Sequence, residues 1–438
     1  LCYVNFFCNY EAINSKNNDL IVEIILQTVV IFLASIVRSI SRKKEFYKMS
    51  KLNIAIIGAG IGGMSAALGL SQSGFKVSVF EQAPELSEVG AGLTITPNAT
   101  KGLNYLNLGE GIKSVGMAHT NQGVRHYETG EVIVPLERGE KMMQKYGAYQ
   151  FQAHRADVHN LFIDAMNAYP NSQVYVNQKL TGLVEKNGLV ELTFNDKDKY
   201  EFDFVIGADG NRSTVRSIII GDDDPEFAGY VAWRGLVPTG QLSEEDFDEC
   251  GSSAFIAPGR VFARYLVRNG ELYNYAAFLV TDEWAEEGWA IPSDIEVVTD
   301  IFSDYNNQVK NIIAATPKGE LFKWGIFARA PADNWSSEFS TLLGDAAHPL
   351  EPFMGQGASM AIEDGVVISR IIADSGSQNE IVDRYQKARI ERAHFVTENS
   401  KKAGMRFTGK TPDDYSKEDH KNEEELGLFY YDPSTVEI

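Results

Sequence analysis

From residue 52 onward the apolar positions change period several times, and each change predicts an element. Asn53 to Ile57 is a short apolar run, and a glycine-rich turn follows it. Ile61 to Ser73 is a run of small and aliphatic residues closed by Gly74, and Lys76 to Phe80 is apolar again. Strand, helix, strand in that order is a βαβ opening. A helix is predicted after His154, strands over Ser172 to Val176 and Leu189 to Phe194, and a further strand from Phe202 to Ile206, all able to return to the same layer. Between Tyr230 and Trp335 the texture turns to alternation, as in Val261 to Val267 and Tyr273 to Val280. Period two over several such runs predicts a mostly antiparallel sheet. A strand from Ser340 to Leu343 and a long apolar helix from Ala358 to Ile372 then restore the first pattern. The fold class is therefore α/β. A Rossmann-like layer over 49–226 resumes at 336–400, and an antiparallel β-sheet domain over 227–335 is inserted between its two parts.

The two ends carry other patterns. Leu20 to Val37 is almost continuously apolar and is followed by Arg38, Arg42, Lys43 and Lys44, so one reading is a membrane anchor with the body on the cytoplasmic side. The other reading is translated upstream sequence, because Glu23, Gln27 and Thr28 interrupt the run, no Met precedes Met49, and Met49-Ser-Lys-Leu leads straight into a strand. Residues 1–48 are accordingly set apart as an atypical leader. At the other end, Lys410 to Glu425 is charged and turn-rich and is expected to be a solvated tail, within a charged C-terminal stretch over 401–438.

Composition narrows the function. The chain has 438 residues, 44% of them hydrophobic, which is enough for a sizeable core. Sixty acidic against 40 basic residues give a net charge of −20, which repels phosphate backbones and argues against a nucleic-acid partner. Cys2 and Cys8 fall in the leader, so the body has Cys250 alone and no internal disulfide. A reducing, cytoplasmic setting is expected.

The chemistry begins at the first turn. Gly58, Gly60 and Gly63 follow a strand and open a helix, the context that makes GxGxxG a dinucleotide site. The first glycine permits the tight turn, the second lets a pyrophosphate approach the backbone, and the third lets helix and strand pack closely. Glu81, with Gln82 beside it, ends the next strand where a carboxylate can accept from ribose hydroxyls. A second glycine-acid corner, Gly207-Ala208-Asp209-Gly210, ends a later strand, and a third follows at Gly344-Asp345. After it, Gly355-Gln356-Gly357-Ala358 opens a long helix, whose N-terminal N–H groups can stabilise negative charge on a flavin ring. Two helix N-termini suit a cofactor as long as FAD. Asp222, Asp223 and Asp224 read as a solvated turn, and no metal site is expected.

These three motifs, in this order and spacing, resemble the FAD-dependent aromatic-ring hydroxylases, the group that includes salicylate hydroxylase, 3-hydroxybenzoate 6-hydroxylase and 6-hydroxynicotinate 3-monooxygenase. Supporting segments are Gly90-Ala91-Gly92 with Pro97-Asn98, His154-Arg155-Ala156-Asp157, Tyr230 to Gly235, and Ala361-Ile362-Glu363-Asp364. The resemblance implies a p-hydroxybenzoate-hydroxylase-like architecture with FAD bound and NADH or NADPH as reductant. It implies a reaction in which O2 reaches an electron-rich ring, a small aromatic acid, through a flavin C4a-hydroperoxide. It also places Gly92 and Arg155 at the FAD, Asp209 and Gly210 at FAD and nicotinamide nucleotide, and Asp345, with Gly344, at the ribitol.

Catalytic candidates are fewer. His348 stands beside the cofactor motif and reads either as a group that orients substrate or loop or as a satisfied structural histidine. Pro352, in the Pro349 to Gly355 loop, is a candidate wall for the oxygen site, and Arg234 can pair with a substrate carboxylate or else bind FAD or a neighbouring acid. Tyr230, Trp233 and Tyr275 are candidate pocket residues, although aromatic residues in a sheet are also core. Trp284, Trp289, Trp324 and Trp335 are assigned to packing. Rival functions are a same-fold epoxidase or hydroxylase acting on a heterocycle or polyene, and a flavin-binding sensor without turnover.

Overall fold

The computed structural model describes residue 28 and residues 52–86, 91–221, 224–247, 249–284, 290–417 and 425–438. All of the leader except Thr28, together with Gly90, Asp222, Asp223 and Trp289, lies outside the described residues.

The chain opens as its pattern predicts. β1 (Asn53–Ile57) turns into α1 (Ile61–Gln72), and β2 (Lys76–Phe80) follows. β3 (Gly92–Ile95) leads to α2 (Pro97–Tyr105), after which a hairpin of β4 (Asn121–His126) and β5 (Val132–Glu137) leaves for the second sheet. β6 (Phe151–His154) returns antiparallel beside β3 and runs into α3 (Arg155–Met166). β7 (Gln173–Tyr175) and β8 (Phe204–Gly207) rejoin the first layer. The second sheet then follows with β9 (Glu226–Pro238), β10 (Ser252–Ala257), β11 (Arg260–Val267), β12 (Leu272–Val280) and β13 (Leu321–Ala328). β14 (Ser340–Leu342), α4 (Gly357–Asp374) and α5 (Gln378–Gly409) close the fold.

Among the described residues the first sheet runs β14-β8-β1-β2-β7, and every pairing in it is parallel. Apart from the exposed edge strand β7, its strands are buried on both faces, which is why they read as continuous apolar runs. α1 is covered by the sheet on one side and α4 on the other, so Ile61 to Ser71 are all buried and the helix shows no polar stripe.

Three expectations change here. Leu189–Phe194 does not return to the parallel layer; it pairs antiparallel with Leu180–Lys186 and Asp198–Phe202 in a separate small sheet. Its alternation of buried and half-buried residues marks a strand with one wet face. The second sheet also reaches outside 227–335, because it takes in β4 and β5 beside β10. Finally, the charged stretch 401–438 is not solvated throughout. α5 continues to Gly409, and 425–438 packs back with Leu428 and Phe429 buried. Lys101 Nζ donates to the Phe429 carbonyl at 2.9 Å, and Arg370 Nη1 donates to the Pro433 carbonyl at 2.7 Å. The acidic flank hid this apolar anchor.

The second sheet's two faces are distinct because side chains alternate along a strand. Val231, Trp233 and Val237 of β9 join Tyr273, Tyr275 and Phe262 in a core covered by the helices Ile295–Ile301 and Asn307–Ala314. Tyr230 and Ala232 point the other way, with Phe278, Trp324 and Ile326. This second face meets the first domain: Gly92 N donates to Asn274 Oδ1 at 2.6 Å, Gln152 Nε2 donates to Ser252 Oγ at 3.1 Å, and Phe353 packs on Tyr230 and Phe278.

Candidate functional site

α1 and α4 lie side by side and run in the same direction: Gly62 faces Ala361, Ser65 faces Gly365, and Gly69 faces Ser369. Side chains this small let the two backbones approach closely. Parallel packing puts both helix N-termini at one end of the molecule, where β1, β8 and β14 finish. That end concentrates the partial positive charge of two helices. A Cβ on Gly60 or on Gly357, each at a helix start, would meet nothing within 4 Å. At Gly63, by contrast, it would run into the Gly58 carbonyl. Gly58 itself has φ +101° and donates its N–H to the Phe80 carbonyl at 2.8 Å.

Three acids stand around this end in different states. Glu81 accepts from Ala59 N at 3.0 Å and from Ala83 N at 2.8 Å, so its carboxylate braces the glycine turn from the neighbouring strand. Gln82 beside it is exposed. Asp209 is committed locally: Ser213 Oγ donates to Oδ1 at 2.5 Å and Val215 N to Oδ2 at 3.1 Å, so it caps the helix Thr214–Ile219. Burial raises its carboxyl pKa against the pull of those donors. Gly210, next to it, is left-handed with open space beyond its Cα. Asp345 makes no hydrogen bond or ion pair among the described residues and keeps an exposed surface, yet the protein crowding it pushes its carboxyl pKa up. The charges of His348 and Arg155 oppose that rise. Exposure combined with desolvation is the condition of an acid lining a cleft. Arg155 is half-buried at the start of α3, its N–H bound to the Ala91 carbonyl at 2.8 Å.

The loop after Asp345 is held from behind. Arg216 is buried and donates through Nη1 to the carbonyls of Ala346 and Ala347, at 3.1 and 2.9 Å. His348 pairs through Nε2 with Asp364 Oδ2 at 2.6 Å and packs on Trp335. With only 4% of its side chain exposed, it presents no nitrogen to a substrate. The catalytic reading of His348 is therefore corrected to a positioning one. Asp364 also accepts from Gly344 N at 2.8 Å and from Arg389 Nε at 2.7 Å. Burial works against its ionisation, but His348 and Arg389 outweigh it and hold the carboxyl down to about 2. Gln356 turns its side chain inward: Asn98 Nδ2 donates to its Oε1 and its Nε2 donates to Thr96 Oγ1, each at 3.1 Å. Only its backbone, with those of Gly357 and Ala358, remains for a ligand at the start of α4. Gly355 is left-handed, and Pro352 is exposed on the loop between them.

The sheet supplies the opposite wall, and here the predicted residues separate. Trp233 donates Nε1 to Ser293 Oγ at 3.1 Å, and Tyr275 shares a hydrogen bond with Thr316 Oγ1 at 2.9 Å; both belong to the outer core. They are corrected from pocket residues to packing residues, since the pleat turns them away from the cleft. Tyr230 lies on the cleft side but is buried against Phe353. Arg234 lies on that side too, its guanidinium 4.2 Å from the ring centre of Trp324. Trp324, assigned above to packing, is thus a platform for that cation. Gly92 is a contact point, because a side chain there would strike Tyr265 and Asn274. Between this contact and that of Phe353 the wall carries Ala232, Arg234, Ala263 and Ala276. The alanines keep the side chains beside Arg234 small.

Comparison with known proteins decides the assignment. Residues 51–400 match the family described as FAD binding domain. The chain belongs to this family. The 6-hydroxynicotinate 3-monooxygenase of Pseudomonas fluorescens is 35% identical over 78% of this chain and 89% of its own length. The 3-hydroxybenzoate 6-hydroxylase 1 of Aquipseudomonas alcaligenes is 33% identical over 80% and 88%. The fold is similar to that of Klebsiella pneumoniae HpxO, solved with FAD and uric acid, with a TM-score of 0.78, 22% identity, and 87% and 97% of the two chains covered. This chain is therefore an FAD-dependent monooxygenase.

The residues present fit that cofactor. The two parallel N-termini, the open space at Gly60 and Gly357, and the Asp345 carboxylate, which has no partner among the described residues, lie together at one end of the molecule, as a long polar cofactor requires. Four residues of the buried network beneath it carried no motif signal: Arg216, Arg389, Arg392 and Tyr431. For the three arginines the signal was a charged residue at an inward-facing helix position, which the local pattern alone reads as surface; Tyr431 lies outside any helix and had none.

Proposed function

We propose that this monooxygenase hydroxylates a small, salicylate-like aromatic carboxylic acid whose carboxylate is held by Arg234. The observation that carries the reading is the position of Arg234, on the cleft-facing side of the sheet and stacked on Trp324, with alanines beside it. A planar guanidinium pairs with a carboxylate bidentately, and Trp324 fixes its plane. The named substrates of the two relatives, a hydroxynicotinate and a hydroxybenzoate, are hydroxylated aromatic carboxylates, which supports the same class here.

In this reading α1's N-terminus at Gly60 takes the pyrophosphate and Glu81 the adenosine ribose. Asp345 accepts from the ribityl hydroxyls, with Arg155 beside it. The backbone N–H groups of Gly357 and Ala358 would hold the flavin ring at the start of α4 and would stabilise negative charge on it. FAD, reduced by NADH or NADPH, supplies the electrons with which one atom of O2 enters the ring and the other leaves as water. Arg234 orients the acid, and Pro352 with Phe353 closes the chamber against solvent. Cys250, a free thiol, fits a cytoplasmic enzyme, and no helix among the described residues is long and apolar enough to cross a membrane.

The test is a panel of aromatic acids and their carboxamides, each scored for stimulated NADH or NADPH oxidation and for hydroxylated product. The acid of an effective pair should exceed its amide by at least about a hundredfold in kcat/KM, the scale of a lost charge-paired contact. Equal rates for acid and amide would remove Arg234 from the role. Oxidation that no aromatic compound stimulates would favour the sensor or the polyene oxygenase.

A further inference from the structure

The family match ends at residue 400, yet 425–438 reaches the buried ions beneath the cofactor cleft. Tyr431 Oη accepts from Arg389 Nη1 at 2.7 Å. Arg389 Nε donates to Asp364 Oδ1 at 2.7 Å, and Asp364 Oδ2 in turn accepts from Gly344 N at 2.8 Å. Gly344 sits at φ +59°, immediately before Asp345. Three short links thus join a tyrosine near the chain's end to the turn that presents the open carboxylate.

The surroundings make that tyrosine hard to replace. Arg389, Asp364 and Glu363 are fully buried, and Arg389 Nη1 also lies 2.8 Å from Glu363 Oε2. Arg392 Nη2 donates to Glu363 Oε1 at 3.0 Å. The Tyr431 ring centre stands 5.2 Å from the Arg389 guanidinium and 4.5 Å from that of Arg392, so one aromatic ring contacts two like charges. Buried ions keep a unique arrangement only while every member is satisfied. The segment itself is anchored independently. Leu428 and Phe429 are buried, the Leu428 carbonyl accepts from Arg392 at 3.0 Å, and Arg370 donates to the carbonyls of Pro433 and Val436 at 2.7 and 3.1 Å.

We propose that Tyr431 is a positioning residue for FAD, acting through Arg389 and Asp364 on the Gly344 turn that sets Asp345. Without its hydroxyl and ring, Arg389 shifts toward Glu363, Asp364 loses a fixed donor, and the Gly344 turn relaxes. The cleft then holds FAD less well although no residue that faces it has changed.

The inference rests on the reading of Asp345 as a cofactor ligand, and the experiment separates the two. Apoprotein of the full chain is reconstituted with FAD, and affinity is read from the quenching of flavin fluorescence, alongside the flavin midpoint potential and the thermal melt. Tyr431→Leu should weaken FAD binding about tenfold and shift the potential, and Tyr431→Phe, which keeps the ring, about threefold. Arg370→Ala, which loosens the segment away from the ions, should stay within about twofold of the parent. Parent-like affinity and potential in a folded Tyr431→Leu protein would overturn the proposal. If that variant does not fold, Tyr431→Phe decides alone: weaker binding supports the proposal and parent-like binding overturns it. Asp345→Ala measured in parallel identifies which reading has failed, since loss of affinity there with none at Tyr431 removes the positioning role only.

Discussion

In the parallel sheet the residues that face the cleft sit just beyond the carboxyl ends of strands: Gly58 after β1, Glu81 after β2, Asp209 after β8, and Asp345 after β14. In the antiparallel sheet they sit along the strands, and neighbours in sequence look in opposite directions. Arg234 faces the cleft, whereas Trp233 is sealed in the outer core with Tyr275. A role at a strand end is a property of position. A role along a two-sided strand depends on which face meets the other domain, and period two fixes the alternation without naming the face.

The harshest way to probe this comparison is at the glycine turn. Gly63→Val forces a side chain against the Gly58 carbonyl, and neither backbone can retreat without breaking the β1-α1 packing. Overpacking of this kind costs about 3 kcal/mol or more. The variant should be purified without the flavin absorption band, if it folds at all. A yellow protein that melts like the parent would remove Gly63 from the fingerprint.

Next in size are two adjacent residues on opposite faces. Arg234→Ala should lower kcat/KM for the aromatic acid by about 10² to 10³, mostly through KM, with FAD binding unaltered. Trp233→Ala should destabilise the protein by about 3 to 5 kcal/mol in a denaturant titration, because it empties a packed core site. The ratio of acid to amide turnover should survive Trp233→Ala in whatever fraction stays folded and collapse in Arg234→Ala. The reverse result would mean that the faces are assigned the wrong way round.

That pair also shows where the sequence stops being legible. The βαβ opening, the three glycine-acid corners and the inserted sheet could be read from the chain, since each is a local pattern with a local cause. The choice among Tyr230, Trp233, Arg234 and Tyr275 could not, because it depends on contacts with Gly92 and Phe353, both far from Tyr230, Trp233 and Arg234 along the chain. His348 misled for a related reason. It lies within the cofactor motif, but its partner Asp364 is on the next helix and turns it inward. The end of the chain misled most, since its acidic flank concealed Leu428, Phe429 and Tyr431.

A smaller effect separates the buried ions from the cleft acids by pH. The Asp364 carboxyl is held at about 2, below its unfolded value of about 3.9. Its contribution to stability is therefore fully present above about pH 4 and is lost as pH falls toward 2, amounting to about 2 to 3 kcal/mol. Glu363, also depressed, has the same sign, while Asp345 and Asp209, which burial raises, have the opposite sign. Stability measured between pH 6 and 2.5 should fall less steeply in Asp364→Asn than in the parent. An equal slope would show that the carboxyl titrates normally.

The finest contrast lies within the parallel sheet, between the two aspartates that end adjacent strands. Asp209 spends both oxygens on Ser213 and Val215, whereas Asp345 has neither oxygen engaged among the described residues. Asp209→Ala should act as the loss of a helix cap, about 1 kcal/mol of stability, with FAD affinity within about twofold of the parent. Asp345→Ala should leave the melt near that of the parent and weaken FAD about tenfold, the worth of one hydrogen bond from a polyol hydroxyl to a carboxylate. Thermal melts and FAD titrations on the two variants give four values, and the crossed pattern is the result that matters. If both variants lose FAD equally, Asp209 reaches the cofactor as well as its own helix, and the position of an acid at a strand end outweighs the partners it has already found.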